Sequence, residues 1–495
     1  MRRIAMITAL ILLSASCSTG SSDVPKVGPA ASSAAGAIES IFPDLTPKAD
    51  LEQADEGEEH VAYAPSVPAR SDRSDQRIFD VRLEVLEGVC PLDPANSIDT
   101  EMWGFRIAGD ADVVCGSPGP VLRGRVGDVA RITLTNLEGN SHPHNIDFHA
   151  VTGQGGGAAD LTVAPGETAA VEVRLLYPGA FMYHCAFGDV PMHIAKGMVG
   201  MFIVDPSEPL GPVDHEWAVM QSEWYVGEAV DGLAPFDPDS LRLEHPRYVT
   251  FNGRTDALAG DNALEMAVGE RARIYMVNEG LNLDSNFHPI GSHWDVVYPE
   301  AATHPSNRVI RGSQTTLVVA GGGTVTEIVG VVPSTILLVD HALVRTFYKG
   351  AIGQIVITGD EDPEIFEVAD VTDDPGADDD TTDDDTTDDA VIATEAAVSI
   401  TEGAWNPDNA ANAFSPASVR VASGSTVTWT NDDTLGHTVT SGTSDGATGT
   451  PDGRFDSGNL NGGDDFEVTL DEPGTYTYYC TPHPWMRGVI EVVAP

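Results

Sequence analysis

The chain has 495 residues, enough for about three domains of ordinary size. Gly (50) and Pro (33) are plentiful and Val and Thr recur in short runs, which favours β-sandwich units over a helical protein. The net charge of −50 argues against nucleic acid as a partner, because phosphate binding requires Lys and Arg. Solubility in salty surroundings or steering of cationic partners would each explain this charge.

The N-terminus has the pattern of an export signal over residues 1–17. A basic start at 1–3 precedes a short apolar run at 4–13 and then small residues, and the run is too short to span a bilayer. Cys17 resembles the lipid acceptor of a bacterial lipoprotein, although Ser14 stands where an aliphatic residue is usual. The sequence therefore predicts an exported protein, periplasmic or at the cell surface, with a lipid anchor to the membrane at Cys17.

Composition and periodicity divide the rest of the chain into segments. Residues 18–74 are rich in Ala, Ser, Pro and acids without periodicity, which predicts a disordered tether. Alternating apolar residues then predict β domains at 75–205 and 206–362. An Asp/Thr-rich run at 363–394 cannot bury a core and predicts a solvated linker. A third β domain is predicted at 395–495.

The cysteines fall into two groups once Cys17 is assigned to the signal. Cys90 and Cys115 are close in sequence and could form a disulfide outside the cytoplasm, but nothing in the sequence fixes their geometry. Cys185 and Cys480 each stand among His and Met residues. That setting indicates metal ligands.

The first predicted metal site combines one thiolate, two imidazoles and a thioether, the ligand set that is diagnostic of blue copper. A structural zinc site would not need the Met and would use more Cys. The four candidate ligands in the first domain are His144, Cys185, His193 and Met198.

Strand geometry predicts a second site beside the first. Successive side chains on a strand point to opposite faces, so neighbouring His184 and Cys185 cannot easily bind one metal. His149 lies five positions after His144, an odd spacing, so the two face opposite ways, and Asp147 shares the face of His149. We therefore predict two metals joined through a single Cys–His step of backbone.

The second site needs a further ligand, and the sequence leaves two choices. Two imidazoles plus the Asp147 carboxylate could suffice, or Asp147 could remain free for acid–base work. The second domain offers His288, His293 and an isolated His341 after an apolar run. An isolated His beside a buried strand is more often a core residue, but a site one ligand short favours His341.

At these residues the sequence resembles the copper nitrite reductase family. The resemblance rests on the motif from His144 to Ala150 with Gly at 155–157 after it, on His184-Cys185-Ala186 and on the 196–198 Lys-Gly-Met step. It covers residues 75–360 or so and implies two cupredoxin folds. The family is homotrimeric and reduces nitrite to nitric oxide.

The resemblance also implies a role for each site residue. The type 1 copper that accepts electrons would be held by His144, Cys185, His193 and Met198. The type 2 catalytic copper would be held by His149, His184 and His341, with His341 and His288 acting across a subunit interface. The acid–base pair would be Asp147 and His288, the pocket would be shaped by Ile290, and His293 would have a structural role. The 186–192 loop looks shorter than in the best-known members, and the additional His142 is interpreted as a surface residue.

The third domain has its own blue-copper pattern, with candidate ligands His437, Cys480, His483 and Met486. The tight loop from Cys480 to Met486 resembles amicyanin, a small plastocyanin-like cupredoxin. Because Tyr479 rather than His precedes Cys480, we expect no second metal there. The expected architecture is all-β, with three Greek-key cupredoxin β-sandwiches. The third would relay electrons to the first domain from an unknown external donor.

Two other functions compete with nitrite reduction. A laccase-like multicopper oxidase needs about eight histidines in paired His-x-His motifs, but Ala186 follows Cys185, and residues 142–144 form the only such pair in the sequence. A non-enzymatic electron-transfer copper protein would not need His149, His184 and His341. The sequence therefore favours a nitric oxide-forming nitrite reductase with copper as cofactor.

Overall fold

A computed structural model describes residues 41–367 and 393–494, apart from 402, 406, 434, 445 and 447. The predicted export signal, Cys17 and most of the Asp/Thr-rich linker lie outside the described residues. The chain divides into two compact units between residues 370 and 371. No helix in the described part is both long and apolar enough to cross a membrane.

The first domain is a sandwich of two sheets. One has the order β12-β4-β3-β6-β8, with β1 on β3, where β12 (Leu233–Ala234) comes from the second domain's part of the chain. The other has the order β2-β5-β10-β9-β7. Its elements are β1 (Glu52–Gln53), β2 (Val61–Ala62), β3 (Arg77–Asp93), β4 (Ile98–Ile107), β5 (Val121–Arg125), β6 (Val129–Asn136), β7 (Asp147–Phe148), β8 (Thr168–Arg174), β9 (Gly179–His184), α1 (Val190–Ala195) and β10 (Val199–Asp205). Alternating burial along β3 and β6 places their apolar side chains in one core between the sheets.

The second domain belongs to the same compact unit and repeats the two-sheet plan, with orders β13-β11-β15-β20-β17-β18 and β14-β22-β21-β16-β19. Its elements are β11 (His215–Trp224), β12 (Leu233–Ala234), α2 (Pro238–Arg242), β13 (Tyr248–Phe251), β14 (Leu264–Ala267), β15 (Arg271–Asn278), β16 (Ser285–Ile290), β17 (Trp294–Tyr298), β18 (Ile310–Ser313), β19 (Thr316–Val318), β20 (Gly323–Val329), β21 (Ser334–Asp340), α3 (Leu343–Lys349) and β22 (Ile352–Thr358).

The second compact unit contains a third β domain whose strands run in the order β24-β23-β25-β30-β29-β26-β27, with β28 on β25. They are β23 (Ala393–Ile400), β24 (Phe414–Ser415), β25 (Ser418–Asn431), β26 (Thr440–Ser444), β27 (Gly449–Asp456), β28 (Asp465–Leu470), β29 (Gly474–Tyr479) and β30 (Arg487–Val493). Trp429 and Tyr478 lie at the centre of its core. The predicted all-β architecture of three sandwiches is confirmed.

A buried ion network joins the first two domains. Arg123 donates from Nε to Asp205 at 2.8 Å and from Nη1 to Glu216 at 2.6 Å. Glu216 in turn accepts from Arg273, which also donates to Glu327 at 2.7 Å. Removing one member would leave a buried charge without its partner, so this network holds the two domains in one orientation.

The prediction of a tether up to residue 74 is wrong for its described part. β1 pairs with β3 and β2 pairs with β5, so residues near 52 and 61 lie on the edges of the first domain. Arg73 also donates to Asp128 at 2.6 Å and to Glu58 at 3.0 Å. Edge pairing and buried ion pairs need no hydrophobic period, and for this reason the sequence pattern did not reveal them.

Candidate metal centres

The first centre brings together three of the four predicted ligands around one point. Cys185 Sγ lies 3.2 Å from His193 Nδ1 and 3.8 Å from His144 Nδ1, and the two imidazole nitrogens are 3.2 Å apart. All three side chains are buried, and Met198 is buried in the same core cluster. Cys185 N donates to Met198 O at 3.1 Å, which brings the two ends of the ligand loop together.

The protonation of these groups suits a soft metal ion. Burial lowers the pKa of His193 to about 4 and lowers that of His144, so both imidazoles are neutral at physiological pH. Burial also raises the pKa of the Cys185 thiol to about 11, so the thiol keeps its proton until a bound metal ion displaces it. Two neutral nitrogens facing one sulfur, with a thioether nearby, fit copper.

The chain around Cys185 and His144 fixes their orientation. Asn145 N donates to Cys185 Sγ at 3.5 Å, and Ala186 N donates to Asn145 Oδ1 at 2.7 Å. His144 Nε2 donates to Glu87 at 2.9 Å, which leaves its Nδ1 free to bind a metal. Glu87 was missed by sequence reasoning, because it lies on β3 far from His144 in the chain and no spacing signals it.

The second centre lies on the other face of strand β9, whose last residue, His184, directly precedes Cys185. His149 Nε2 and His184 Nε2 are 3.2 Å apart, and Asp147 joins them in a cluster whose ligand atoms lie within 4.8 Å of one another. His184 Nδ1 donates to Cys185 O at 3.1 Å, so Nε2 is the free nitrogen. Burial and the neighbouring His184 lower the pKa of His149, which favours a neutral ligand.

Strand register and a glycine turn place Asp147 beside these histidines. Asp147 pairs with His184 across β7 and β9. Gly156 has a φ of +55°, and a Cβ at this position would lie 1.9 Å from Asp147 Oδ1. Gly156, in the glycine run after the His-rich motif, therefore leaves space for the carboxylate.

The histidines of the second domain form a separate group. The rings of His288 and His341 are 4.9 Å apart, and both line an open pocket with Asn286, Gln314 and Thr315. His288 Nδ1 donates to Gln314 O at 2.6 Å, and burial lowers its pKa. Among the described residues of one chain, the cluster of His149, His184 and Asp147 includes neither of them.

The other two predicted residues of the second domain lie close to His288 in sequence. Ile290 ends β16 and is half-buried, but it is not among the residues that line the pocket. His293 is exposed in the following turn and is close enough to lower the pKa of His288 slightly, after burial and His341.

The turn that carries His341 is fixed by the buried carboxylate of Asp340, which the sequence did not reveal. Asp340 Oδ1 accepts from the backbone N of Asn286 and of Ala342, both at 3.1 Å, and Asp340 Oδ2 pairs with Arg345 at 2.8 Å. His341 N donates to Asn286 O at 2.8 Å. The strand that carries His288 and the turn that carries His341 are thus joined.

The third domain contains a centre of the same kind as the first. His437 Nδ1 and His483 Nδ1 are 3.0 Å apart, and Cys480 Sγ lies 3.7 Å and 3.5 Å from them, respectively. Met486 is buried, and its O accepts from Cys480 N at 3.1 Å. His437 Nε2 donates to Asp433 at 3.1 Å, so this centre also has a carboxylate behind its buried imidazole. Burial lowers the pKa of His483 to about 4.

The remaining cysteines form a disulfide. The sequence left the pairing of Cys90 and Cys115 open, and the structure joins them across 25 positions. The bond lies in a small cluster with Met102 and Trp224, next to the strand that carries Trp103.

Two blue-copper ligand sets on β-sandwiches, with a two-histidine cluster beside one of them, define a copper protein of the cupredoxin class. A family model described as copper binding proteins, plastocyanin/azurin family, matches residues 402–493. A second model, described as multicopper oxidase, matches residues 92–208.

Curated relatives identify the family. The copper-containing nitrite reductase of Neisseria gonorrhoeae is 39% identical over 363 residues, which cover 73% of this chain and 88% of that protein. The enzyme of the same name from Neisseria meningitidis serogroup B is 41% identical over 305 residues, covering 61% and 75%. A solved copper nitrite reductase from Nitrosomonas europaea has a TM-score of 0.50 at 33% identity and covers 58% of this chain and 96% of that one. The chain belongs to the copper-containing nitrite reductase family.

Proposed function

We propose that the protein reduces nitrite to nitric oxide at the second centre, with electrons delivered from the first. The observation that carries this proposal is the adjacency of His184 and Cys185, whose side chains lie in different ligand clusters. Nitrite, one electron and two protons give nitric oxide and water. One N–O bond breaks, and its oxygen leaves as water with both protons.

Different residues of the chain would hold the copper and supply the protons in this reaction. His149, His184 and His341 would hold the type 2 copper, which supplies Lewis acidity and an electron when bound. Asp147 would donate a proton to the departing oxygen. His288 holds one proton on Nδ1 through Gln314 O, so a second proton on Nε2 can be released.

Nitric oxide release with a reduced donor tests this function. The wild type should release nitric oxide, and Asp147→Asn should release far less while keeping its copper. Adding nitrite should also change the EPR signal of the type 2 copper. A laccase-like oxidase would instead consume oxygen with no response to nitrite, and an electron carrier would show blue centres alone.

We further propose a homotrimer in which His341 and His288 complete the site of a neighbouring subunit. Two observations support this arrangement. His149 and His341 are both exposed on the single chain, in separate groups. Helix α3 begins two residues after His341 and exposes four large apolar side chains: Leu343, Val344, Phe347 and Tyr348. Such a face is typical of a subunit interface.

Mixing of inactive subunits tests the shared site. His149→Ala and His341→Ala should each be inactive alone. Co-expressed with different tags, the two should form mixed trimers that regain nitrite reduction, because one chain supplies His149 and the other supplies His341. If the purified mixed oligomer remains inactive, the site is built within one chain.

The third domain is proposed to relay electrons to the first centre. It has a blue-copper ligand set and no second cluster beside it among the described residues. A tether gives a local concentration on the order of millimolar, which a dilute external donor cannot match. Cleavage at a protease site inserted in the linker should slow turnover with a dilute donor. Equal rates before and after cleavage would refute the relay.

Export and lipid attachment at Cys17 remain part of the proposal. The supporting observation is the basic, apolar and small-residue order of the first 17 residues. In cells the wild type should fractionate with membranes and carry a lipid mass at its N-terminus. Cys17→Ser should release the protein from the membrane fraction.

A further inference from the structure

The first centre is covered by other side chains. His144 is 0% exposed and His193 is 3% exposed, so neither imidazole reaches the surface of the chain. In the third domain, by contrast, His483 is partly exposed. An electron that comes from outside must therefore cross the side chains that cover the first centre.

Trp103 is the side chain that contacts both ligand imidazoles. Its ring centroid lies 5.0 Å from that of His193 and 5.4 Å from that of His144, edge to face in both cases. The indole itself is 2% exposed. On its outer side it meets His142, at 4.5 Å between ring centroids, and the His142 side chain is 46% exposed. These rings form a continuous aromatic path from the surface to the ligands.

Glu87 makes a second connection between His142 at the surface and the ligand His144. One carboxylate oxygen lies 3.2 Å from His142 Nδ1 and 2.9 Å from His144 Nε2. The backbone N of His142 also donates to this oxygen. His142, which the sequence indicates as a surface residue, is thus fixed to the first centre by two routes.

A buried ammonium group keeps the indole in place. Lys196 Nζ lies 4.6 Å from the centre of the Trp103 ring and 5.2 Å from that of Phe236. It donates to Glu101 at 2.8 Å, and Glu101 also accepts from Trp103 Nε1 at 2.9 Å. A cation over the ring face disfavours loss of an electron from the ring. The indole therefore mediates electron transfer to the ligands without being oxidised itself.

We infer that electrons from a protein donor reach the first centre through His142 and Trp103. The inference deepens the proposed function and rests on it, since it assigns the electron input of the same centre. One electron would leave the donor, which is oxidised, and would reduce by one unit the copper that His144, Cys185, His193 and Met198 would hold. No bond forms or breaks and no proton moves.

Rapid mixing without nitrite tests this route. The full copper-loaded chain with Cys480→Ser is used as the background, so that the remaining blue colour reports the first centre. Reduced cytochrome c is the donor. A protein is too large to enter the space that a shortened side chain leaves, so it cannot approach the copper through that space. Trp103→Leu should slow the loss of blue colour by an order of magnitude or more, and Trp103→Phe should retain most of the rate.

Phe187→Leu is the matched control. The Phe187 ring lies 6.1 Å from that of His193 but makes no ring contact with His142. Its loss should leave the rate unchanged. The blue absorption band and the reduction potential of the Trp103 variants should equal those of the background, because the ligands remain. A merely structural role for Trp103 would shift both quantities, and that result would overturn the inference.

Other outcomes are equally decisive. An unchanged rate in Trp103→Leu, or equal slowing by Phe187→Leu, would overturn the route. If Trp103→Leu does not fold with copper, His142→Ala replaces it, since that side chain is at the surface. His142→Ala should also slow reduction by cytochrome c, and an unchanged rate would again overturn the inference. If wild type fails to reduce nitrite but these rate differences hold, the proposed function fails and the route stands.

Discussion

Asp147 lies directly opposite His184 where β7 pairs with β9, although the two residues are 37 positions apart in the numbering. The pair places a carboxylate beside an imidazole whose chain neighbour, Cys185, belongs to the other cluster. In the proposed function, the acid and the electron supply would therefore meet at one strand end.

Asp147→Asn should lower nitrite reduction by roughly 100-fold or more, the usual contribution of a positioned general acid. The amide has the same shape but cannot deliver a proton. Copper content and the blue absorption should stay at wild-type values. Loss of type 2 copper in this variant would mean that Asp147 is a ligand and does not act as the acid.

Gly156→Ala should reduce nitrite turnover and leave the blue absorption unchanged. The added Cβ would lie 1.9 Å from Asp147 Oδ1, so the carboxylate has to move. Gly155→Ala is the matched control, since Gly155 has nearly the same φ of +56° and its Cβ would meet nothing closer than 3.8 Å. If both variants lose activity equally, backbone strain and not displacement of Asp147 is responsible.

Glu87→Gln should raise the reduction potential of the copper at the first centre. The carboxylate behind His144 makes the imidazole a better donor to Cu(II), and a neutral amide removes that preference. Redox titration of the blue absorption measures the change. Asp433→Asn should act on the third-domain centre alone, through His437. A potential that stays at the wild-type value would contradict this role for Glu87.

Replacing both Cys90 and Cys115 with Ser should lower the free energy of unfolding of the first unit by about 3.5 kcal/mol, the loop-entropy value for a closure of this length. Urea unfolding followed by tryptophan fluorescence measures the loss. Wild type treated with a reductant should approach the double variant. The double variant itself should not respond to the reductant.

Glu279→Gln should stabilise the protein at neutral and higher pH. Glu279 is buried, neither of its oxygens has a hydrogen-bond partner among the described residues, and burial raises its pKa well above 4.5. Its folded state prefers the protonated form, so stability is fully present below pH 4.5 and is lost as pH rises towards the folded pKa. Glutamine removes this loss.

Thermal unfolding at two pH values checks the sign. Near pH 4 the wild type and Glu279→Gln should unfold at similar temperatures, and at pH 8 the variant should unfold at the higher temperature. A variant that is less stable at pH 8 would show that the ionised carboxylate finds a partner in the folded protein.

The sequence alone determined the kinds of ligand and how they are shared between centres. His184 and Cys185 are neighbours, and strand geometry sends neighbours to opposite faces, so two clusters followed without any tertiary information. The ligands on the Cys480 loop could be predicted for a similar reason, because three of the candidates lie within seven residues. Local periodicity and short spacing in the sequence are enough to predict the type of each ligand and the face on which it lies.

Tertiary structure decided which distant groups support those ligands. Glu87 reaches His144, Trp103 contacts both imidazoles, and the short strands at 52–53 and 61–62 pair with β3 and β5, although the sequence predicted a tether there. Each of these contacts depends on strand register and packing between residues far apart in the chain, which no local pattern encodes. The types of ligand follow from the local sequence, whereas the residues that surround and orient the ligands are determined by how the sheets pack.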